Sequence, residues 1–563
     1  MSSLDWIVLC STLMTIILFG VYKSRGQKNI DSYLLGDQSL PWYHVMFSLM
    51  ATQASAITFL SAPGQAYTDG MRFVQYYFGM PLAMIVVATT FLPIFHKLKV
   101  YTAYEYLESR FDKKTRILTA FIFLVQRGLA AGITIYAPSV ILSALLGWNI
   151  YLTNVFMGGL VIMYTVFGGS KAVSYTQLQQ MAMIIIGMFI AGYMIVSMLP
   201  DDISFSDALK ISGTLGKMNI ITTDFNLNDK YNLWSGVIGG FFLALSYFGT
   251  DQSQVGRYLS GKSIRSSRIG LLLNGMVKIP MQFFILLIGV LLFTFYQFHH
   301  RPIFFNPSAV KTVMQSEYAS QFSELETKYN ELNKNKSEDV QRLVAPSTAP
   351  SEIEHLKSGI LATEAEMMEL RKESIEIIST VDPAADKNDT NYIFLNFVIN
   401  YLPIGLIGLL IAVIFSASWS STASELNALA STTVVDFLKA NQTSGETKNW
   451  ISISRWTTVI WGVLAIAVSM FANQMGSLIE AVNILGSLFY GTVLGVFLVA
   501  FFFKFVNGNS VFWAALLGEA VVIALFTNSN IAFLWMNLIG CASVIFISII
   551  LQGFTVLSKK AES

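Results

Sequence analysis

The chain has 563 residues, of which 54% are hydrophobic and 13% charged, with a formal net charge of +1 and a mean hydropathy of +0.56. That balance excludes a soluble globular domain, and without a long block of Lys and Arg nucleic acid is excluded as a partner. The composition is that of an all-α polytopic protein whose solvent is the lipid bilayer.

Crossing a hydrocarbon core takes roughly 20 apolar residues per helix, and on that measure the chain holds about thirteen spans. They fall at 4–22, 42–67, 73–95, 117–146, 151–168, 174–199, 234–252, 269–297, 392–436, 452–472, 476–503, 510–526 and 530–556. The first run has its basic residues, Lys23, Arg25 and Lys28, after the apolar core. A secretory signal has the reverse order, so an uncleaved span ending in the cytoplasm is expected. Cys10 and Cys541 both lie in apolar runs, which suggests neither a disulfide nor a thiolate metal site and makes them lipid-facing or core residues.

Within the second span, residues 51–58 read Ala-Thr-Gln-Ala-Ser-Ala-Ile-Thr. Such a small, polar run can unwind in a bilayer only where protein or a water-filled cavity satisfies its freed carbonyls, which marks it as a candidate ion and solute site. A second run of this kind is residues 246–253, Ser-Tyr-Phe-Gly-Thr-Asp-Gln-Ser. Paired interruptions point to a transporter built from inverted repeats. An odd number of spans per repeat sets the two copies in opposite membrane orientations.

The chain then divides into a first helix and cytoplasmic loop (1–41), a first repeat (42–200), an outer loop (201–233), a second repeat (234–503), and two C-terminal helices with a short tail (504–563). Loop charge sets the orientation. The loop 96–116 carries six Lys and Arg, and 253–268 carries four with no acid, whereas 200–232 has five Asp against three Lys. By the positive-inside rule the N-terminus is outside and the C-terminus cytoplasmic, Lys559 and Lys560 agreeing, in a multi-pass protein of the cell (inner) membrane.

Residues 298–391 form a polar insertion on the outer side. Residues 323–332 and 361–370 combine helix formers with apolar residues at three- and four-residue spacing, separated by the turn 346–350. A helical hairpin standing off the membrane is expected, either as a solvated ornament or with a structural or partner-docking role.

After the insertion, Ala417, Ser420 and Ser421 stand at i, i+3 and i+4 on one helical face. Hydroxyls and carbonyls of low formal charge suit Na⁺, and the same small residues equally suit close helix packing.

These residues bring the chain into resemblance with the sodium/solute symporters, the family of sodium/glucose, proline, sialic-acid, iodide and monocarboxylate carriers. The resemblance runs through the motif 31–42, the interrupted span 51–58, Thr102–Phe111, Tyr136-Ala-Pro138, residues 168–173, Lys278, Ser420, Ser421, Asn427 and Asp436. It implies a LeuT-like core of five plus five inverted helices, with one helix before it and two after. It also implies a sodium site of Ala51, Ala54 and Ala417 carbonyls with Ser420 and Ser421 hydroxyls. Where sugar carriers of the family hold an amide, an acid and a serine, this chain has Thr58, Tyr77 and Met80, and Ala244 replaces an asparagine. Tyr247 matches the inner-gate tyrosine and Lys278 a sugar-binding lysine. The motifs at 102–110 and 135–138 are most similar to the iodide, monocarboxylate and vitamin branch.

An ionisable group in hydrocarbon normally faces a partner or a cavity. Arg127 and Lys278 are the notable intramembrane cations. Three readings stay open for them: recognition of a solute carboxylate, a salt bridge to Glu480, or snorkelling. Gln53, Gln126, Gln252 and Asn483 are neutral candidates either to meet solute or to join helices. Tyr175-Thr176-Gln177 stands where many members have Trp-Thr-Asp, and the missing acid implies one coupled Na⁺.

The histidines are scattered apart from His299-His300, a pair just outside the membrane that could bind metal but more often is solvated; no Cys cluster or glycine-rich phosphate loop supports an enzyme, and no organic cofactor is expected. The expected function is sodium-coupled import of a small organic solute, a carboxylate or vitamin, by alternating access. The alternatives are a sodium/sugar symporter and, in another class, a channel or transporter-like sensor.

Overall fold

A computed structural model describes residues 1–24, 38–345, 348–383, 385–441, 449–472 and 475–562. Residues 31–37 of the motif 31–42 lie outside the described residues, as do the side chains of 168–172, Lys559 and Lys560. The helices that organise the fold are α1 (Ser3–Ser24), α2 (Trp42–Gln53), α3 (Ala56–Asp69), α4 (Met80–Val86), α5 (Lys113–Leu146) and α6 (Ile150–Ser197). They continue with α7 (Gly240–Thr250), α8 (Gln252–Leu259), α9 (Ile264–Phe298), α10 (Ala319–Val344), α11 (Pro350–Val381) and α12 (Leu406–Thr432). The last four are α13 (Trp450–Ser469), α14 (Leu478–Phe502), α15 (Gly508–Asn528) and α16 (Phe533–Glu562). Among the described residues ten helices are long and apolar enough to cross a membrane, and Ile150–Val166 and Ser235–Thr250 are shorter apolar helices.

Both expected interruptions are real helix breaks, but narrower than the polar runs. The first is confined to Ala54 (φ −87°, ψ 75°) and Ser55 (φ −80°, ψ 173°), between α2 and α3. The second is the single residue Asp251 (φ −77°, ψ 120°), between α7 and α8, while Ser246 to Thr250 stay helical. Asp251 receives the Ser253 backbone N–H on its carboxylate at 2.8 Å. The break is therefore also the N-cap of the helix that follows it.

Two expected spans take a different form. Residues 151–168 and 174–199 are one continuous helical segment, α6. That segment is not straight, because the hydroxyls of Tyr164 and Thr176 hydrogen-bond each other. Twelve residues of straight helix would hold them about 18 Å apart, beyond the reach of both side chains. The span expected at 392–436 is instead two helices, Ile393–Tyr401 and α12, parted where Gly405 takes a φ of +92°. Pro403 precedes this break, as proline commonly does at a helix end.

The N-terminal helix joins the fold at that same break. Oδ1 of Asp5 accepts the backbone N–H groups of Gly405 at 2.6 Å and Gly408 at 3.3 Å, satisfying the orphan donors that begin α12.

In the core, α2 packs on α8, α9 and α12, and α14 runs against α5, α7 and α16. A Cβ on Gly289 of α9 would stand 2.1 Å from the Pro63 carbonyl, and one on Gly64 2.0 Å from the Thr390 carbonyl. Helix α3 is thus wedged between two backbones that only glycine lets this close.

The insertion folds as the two helices α10 and α11 packed on each other, with residues 323–332 and 361–370 inside them. Its own core holds Phe322, Tyr329, Met367 and Ile378. Arg301 and Lys336 converge on Glu364 at 3.0 Å and 2.5 Å. Burial would raise that carboxyl, but the two cations outweigh it and hold Glu364 down at about 2.

Candidate functional site

A cavity lies between the two broken helices and their neighbours. Gln53, Thr58, Tyr76, Tyr77, Arg127, Thr134, Tyr247, Glu425, Asn483 and Tyr490 supply its polar lining, and Leu243, Ile479 and Val482 much of the rest. Six of the nine expected solute residues are therefore brought together: Gln53, Thr58, Tyr77, Arg127, Tyr247 and Asn483.

The other three lie elsewhere. Gln252 donates to the Tyr101 carbonyl at 2.8 Å and accepts the Ala103 N–H at 3.1 Å, fastening α8 to the loop 99–104. Met80 is buried in the apolar core at the start of α4. Lys278 is fully buried with its Nζ 6.0 Å from the centre of the Tyr77 ring, and that ring rather than the lysine lines the cavity. Among the described residues its ammonium has no hydrogen-bond partner.

The expected sodium residues meet where α2 ends. Ala51, Ala54, Ala417, Ser420 and Ser421 are all buried. The Ser420 hydroxyl lies 3.4 Å from the Ala51 carbonyl, and that of Ser421 lies 3.2 Å from the Ala417 carbonyl and 3.1 Å from the Ser418 carbonyl. The break at Ala54 and Ser55 withdraws the backbone donors that would otherwise occupy the last carbonyls of α2. One turn away, Nε2 of Gln177 donates to Ser424 Oγ at 2.8 Å, and lies 3.2 Å from Thr52 Oγ1 and 3.3 Å from the Ser420 carbonyl. Its carboxamide thus ties α6 to both α2 and α12.

Arg127 has partners that composition did not single out. Its guanidinium pairs with Glu425 at 3.0 Å and with Asp251, and also bonds the Tyr490 hydroxyl. Tyr490 in turn donates to Asp251 at 2.8 Å, and the Tyr247 ring lies 5.5 Å from the guanidinium carbon. Glu480, a candidate partner of Arg127 and Lys278, is instead held by Lys230 at 3.0 Å and the Tyr231 hydroxyl at 3.0 Å. Acids within apolar spans are rare and functional, and that rule applied to Glu425 and Asp251 would have found them. Asp251 stood in view only as part of an interruption.

Hydrogen bonds cross both ends of the cavity. Toward the insertion, Tyr76 bonds Asn483 at 3.0 Å, and Ser477 bonds Gln65 at 3.0 Å and Ser61 at 3.3 Å. At the opposite end, Tyr104 donates to the Thr250 carbonyl at 2.9 Å and Gln254 to the Tyr247 hydroxyl at 2.6 Å.

Comparisons with known proteins bear on the family and the fold. Over 532 residues the chain is 25% identical to sodium-coupled monocarboxylate transporter 1 of Xenopus laevis, covering 94% of this chain and 72% of that protein. It is 25% identical to the sodium-dependent multivitamin transporter of Oryctolagus cuniculus, covering 90% and 67%. It is 29% identical to the human sodium/iodide cotransporter, covering 48% and 42%. Among solved structures, a Na⁺-coupled sialic acid symporter in a substrate-bound outward-open state matches with a TM-score of 0.75 and 23% identity, over 98% of both chains. That likeness shows the LeuT-like fold. The model of the Sodium:solute symporter family matches residues 33–322 and 375–518, well over half of the sequence. The chain belongs to the sodium:solute symporter family, whose members are transporters rather than enzymes.

Proposed function

We propose that the protein imports a small organic solute, a carboxylate or vitamin, together with one Na⁺ per cycle. The observation that carries this reading is the approach of the Ser420 hydroxyl of α12 to the Ala51 carbonyl of α2 at 3.4 Å, next to a helix break beside the cavity. Na⁺ would take the carbonyls of Ala51, Ala54 and Ala417 and the hydroxyls of Ser420 and Ser421, all neutral oxygens. The solute would lie against Gln53, Thr58, Tyr77, Arg127, Tyr247 and Asn483.

The named relatives support the solute class. A sugar is favoured less, because Lys278, the residue that reading leans on, lies behind the Tyr77 ring. A single ion is favoured because the Gln177 amide already donates to a hydroxyl where a second ion would need acceptors to converge. The orientation places the N-terminus and the insertion outside and the C-terminus in the cytoplasm of the cell membrane. The exposed face of α10 and α11 would be free to dock an outer protein partner.

In this scheme Na⁺ joins α2 to α12 and favours the outward-open state. Solute then binds between the two breaks, and inward opening parts the ligands. Coupling requires only that the ion bind one conformation better than the other. Counterflow in proteoliposomes tests the class: a carrier loaded with unlabelled solute accumulates the labelled form in Na⁺, and a pore does not.

A further inference from the structure

The cavity wall carries one carboxylate, Glu425, and one guanidinium, Arg127, which a second carboxylate, Asp251, meets from outside the lining. Arg127 commits its two terminal nitrogens to Asp251 and Glu425, which leaves its buried Nε–H as its one donor without a partner among the described residues. One oxygen of the Glu425 carboxylate is left over. Oε2 is buried and has no hydrogen-bond partner among the described residues. The Thr134 hydroxyl, on the same wall, interacts with the Glu425 carboxylate, but its one proton is shared with the Ala130 carbonyl at 3.0 Å. Asp251 is satisfied by Tyr490, Ser253 and Arg127. Lys278, the other nearby cation, is screened by the Tyr77 ring.

The cavity wall holds a second unspent acceptor. Oε1 of Gln53 is also buried without a partner among the described residues. Thr52 and Ser424, the residues just before Gln53 and Glu425, are bonded through their hydroxyls at 3.1 Å. That contact joins the two helices beside the break, and Gln53 and Glu425 both line the cavity. Across the cavity the unspent group is a donor, Nδ2 of Asn483, whose oxygen is taken by the Tyr76 hydroxyl. A buried polar atom without a partner is costly, so these two acceptors, with Nδ2 of Asn483 and Nε of Arg127 as donors, describe the complement of what fills the space.

We propose that Glu425, with Gln53, forms a subsite for a positively charged nitrogen of the solute, and that the solute is an amino-carboxylate whose acceptor end faces Asn483. This rests on the carrier reading above and narrows its solute class. A carboxylate without the amine would leave Glu425 Oε2 and Gln53 Oε1 unpaired and place an anion near a carboxylate, which in a poorly screened wall weakens binding by about 100-fold or more.

The test uses pairs of L-leucine with 4-methylpentanoate, L-phenylalanine with 3-phenylpropanoate, and 4-aminobutyrate with butyrate. Thermal shift of the purified protein and Na⁺-driven uptake into proteoliposomes are measured for each. The amine-bearing member of at least one pair is expected to raise the melting temperature in Na⁺ and to be taken up, with its partner about 100-fold weaker. Glu425→Gln is expected to erase that preference and Glu425→Asp to keep part of it. The wild-type preference is read without any variant, so misfolding of a variant does not blur it. Equal or better uptake of the amine-free carboxylates overturns the proposal while leaving the carrier reading intact. So does a Glu425→Gln protein that keeps the preference and only needs more Na⁺, which would assign the carboxylate to the ion. If Na⁺ stimulates uptake of no member of any pair, the carrier reading fails for this panel and the proposal falls with it.

Discussion

Gln177 donates from its amide nitrogen to the Ser424 hydroxyl at 2.8 Å, and the same nitrogen lies within 3.3 Å of the Ser420 carbonyl and the Thr52 hydroxyl. An amide N–H₂ directed at oxygens on two helices does locally what a bound cation would do. Gln177→Asp exchanges those donors for charge and frees the same oxygens. The expected outcome is a sodium Hill coefficient rising from about one toward two, read from the Na⁺ dependence of uptake. Gln177→Ala instead strips a buried network of its donor, which costs about 1–3 kcal/mol and lowers the melting temperature.

The wedging of α3 gives a steric prediction. At Gly289 an added Cβ would meet the Pro63 carbonyl at 2.1 Å, a contact that only backbone movement can relieve. Gly289→Ala should therefore destabilise the protein by about 2 kcal/mol or more and reduce the monodisperse yield in detergent chromatography. Gly359, on the insertion, has nothing within 4 Å of the same atom. Gly359→Ala should match the parent.

In the outer region Asp386 is buried, and burial pushes its carboxyl up to about 7. A carboxylic acid whose folded pKa is raised contributes stability that is fully present below its unfolded value near 3.8 and is lost as pH rises through about 7. Asp386→Asn keeps an acceptor for the Asn388 N–H, which Asp386 now receives at 2.9 Å. It should leave stability unchanged near pH 4 and raise it by on the order of 2 kcal/mol at pH 8, measured by thermal melts at both values.

Much of the fold was legible because a bilayer punishes unpaired backbone, which leaves long apolar helices as the plainest solution. The run 117–146 became Lys113–Leu146, its start extended to Asp112, whose carboxylate caps the Thr115 N–H. The helix breaks were legible as polar runs but not to the residue. Alternation of small and polar side chains does not say which carbonyl is released, and one residue, Asp251, sufficed for the second break. The division of 392–436 had signals in Pro403 and Gly405 that total hydropathy masks. Partner choice was the least legible. Arg127 meets Asp251 and Glu425, which stand 124 and 298 residues away in the chain. Nothing local to Gln252 or Lys278 announces that one fastens a loop and the other sits behind a ring.

Binding of Na⁺ by Ala51, Ala54, Ala417, Ser420 and Ser421 can be tested without knowing the solute. The melting temperature of the purified protein is measured against Na⁺ concentration, with K⁺ holding ionic strength constant. Na⁺ and not K⁺ is expected to stabilise, because only a ligand that binds the folded state shifts unfolding. Ser421→Ala is expected to move the Na⁺ midpoint up by about tenfold while Ser431→Ala leaves it in place. Identical Na⁺ and K⁺ curves for the parent protein, or a Ser421→Ala protein that titrates like the parent, would contradict this sodium site.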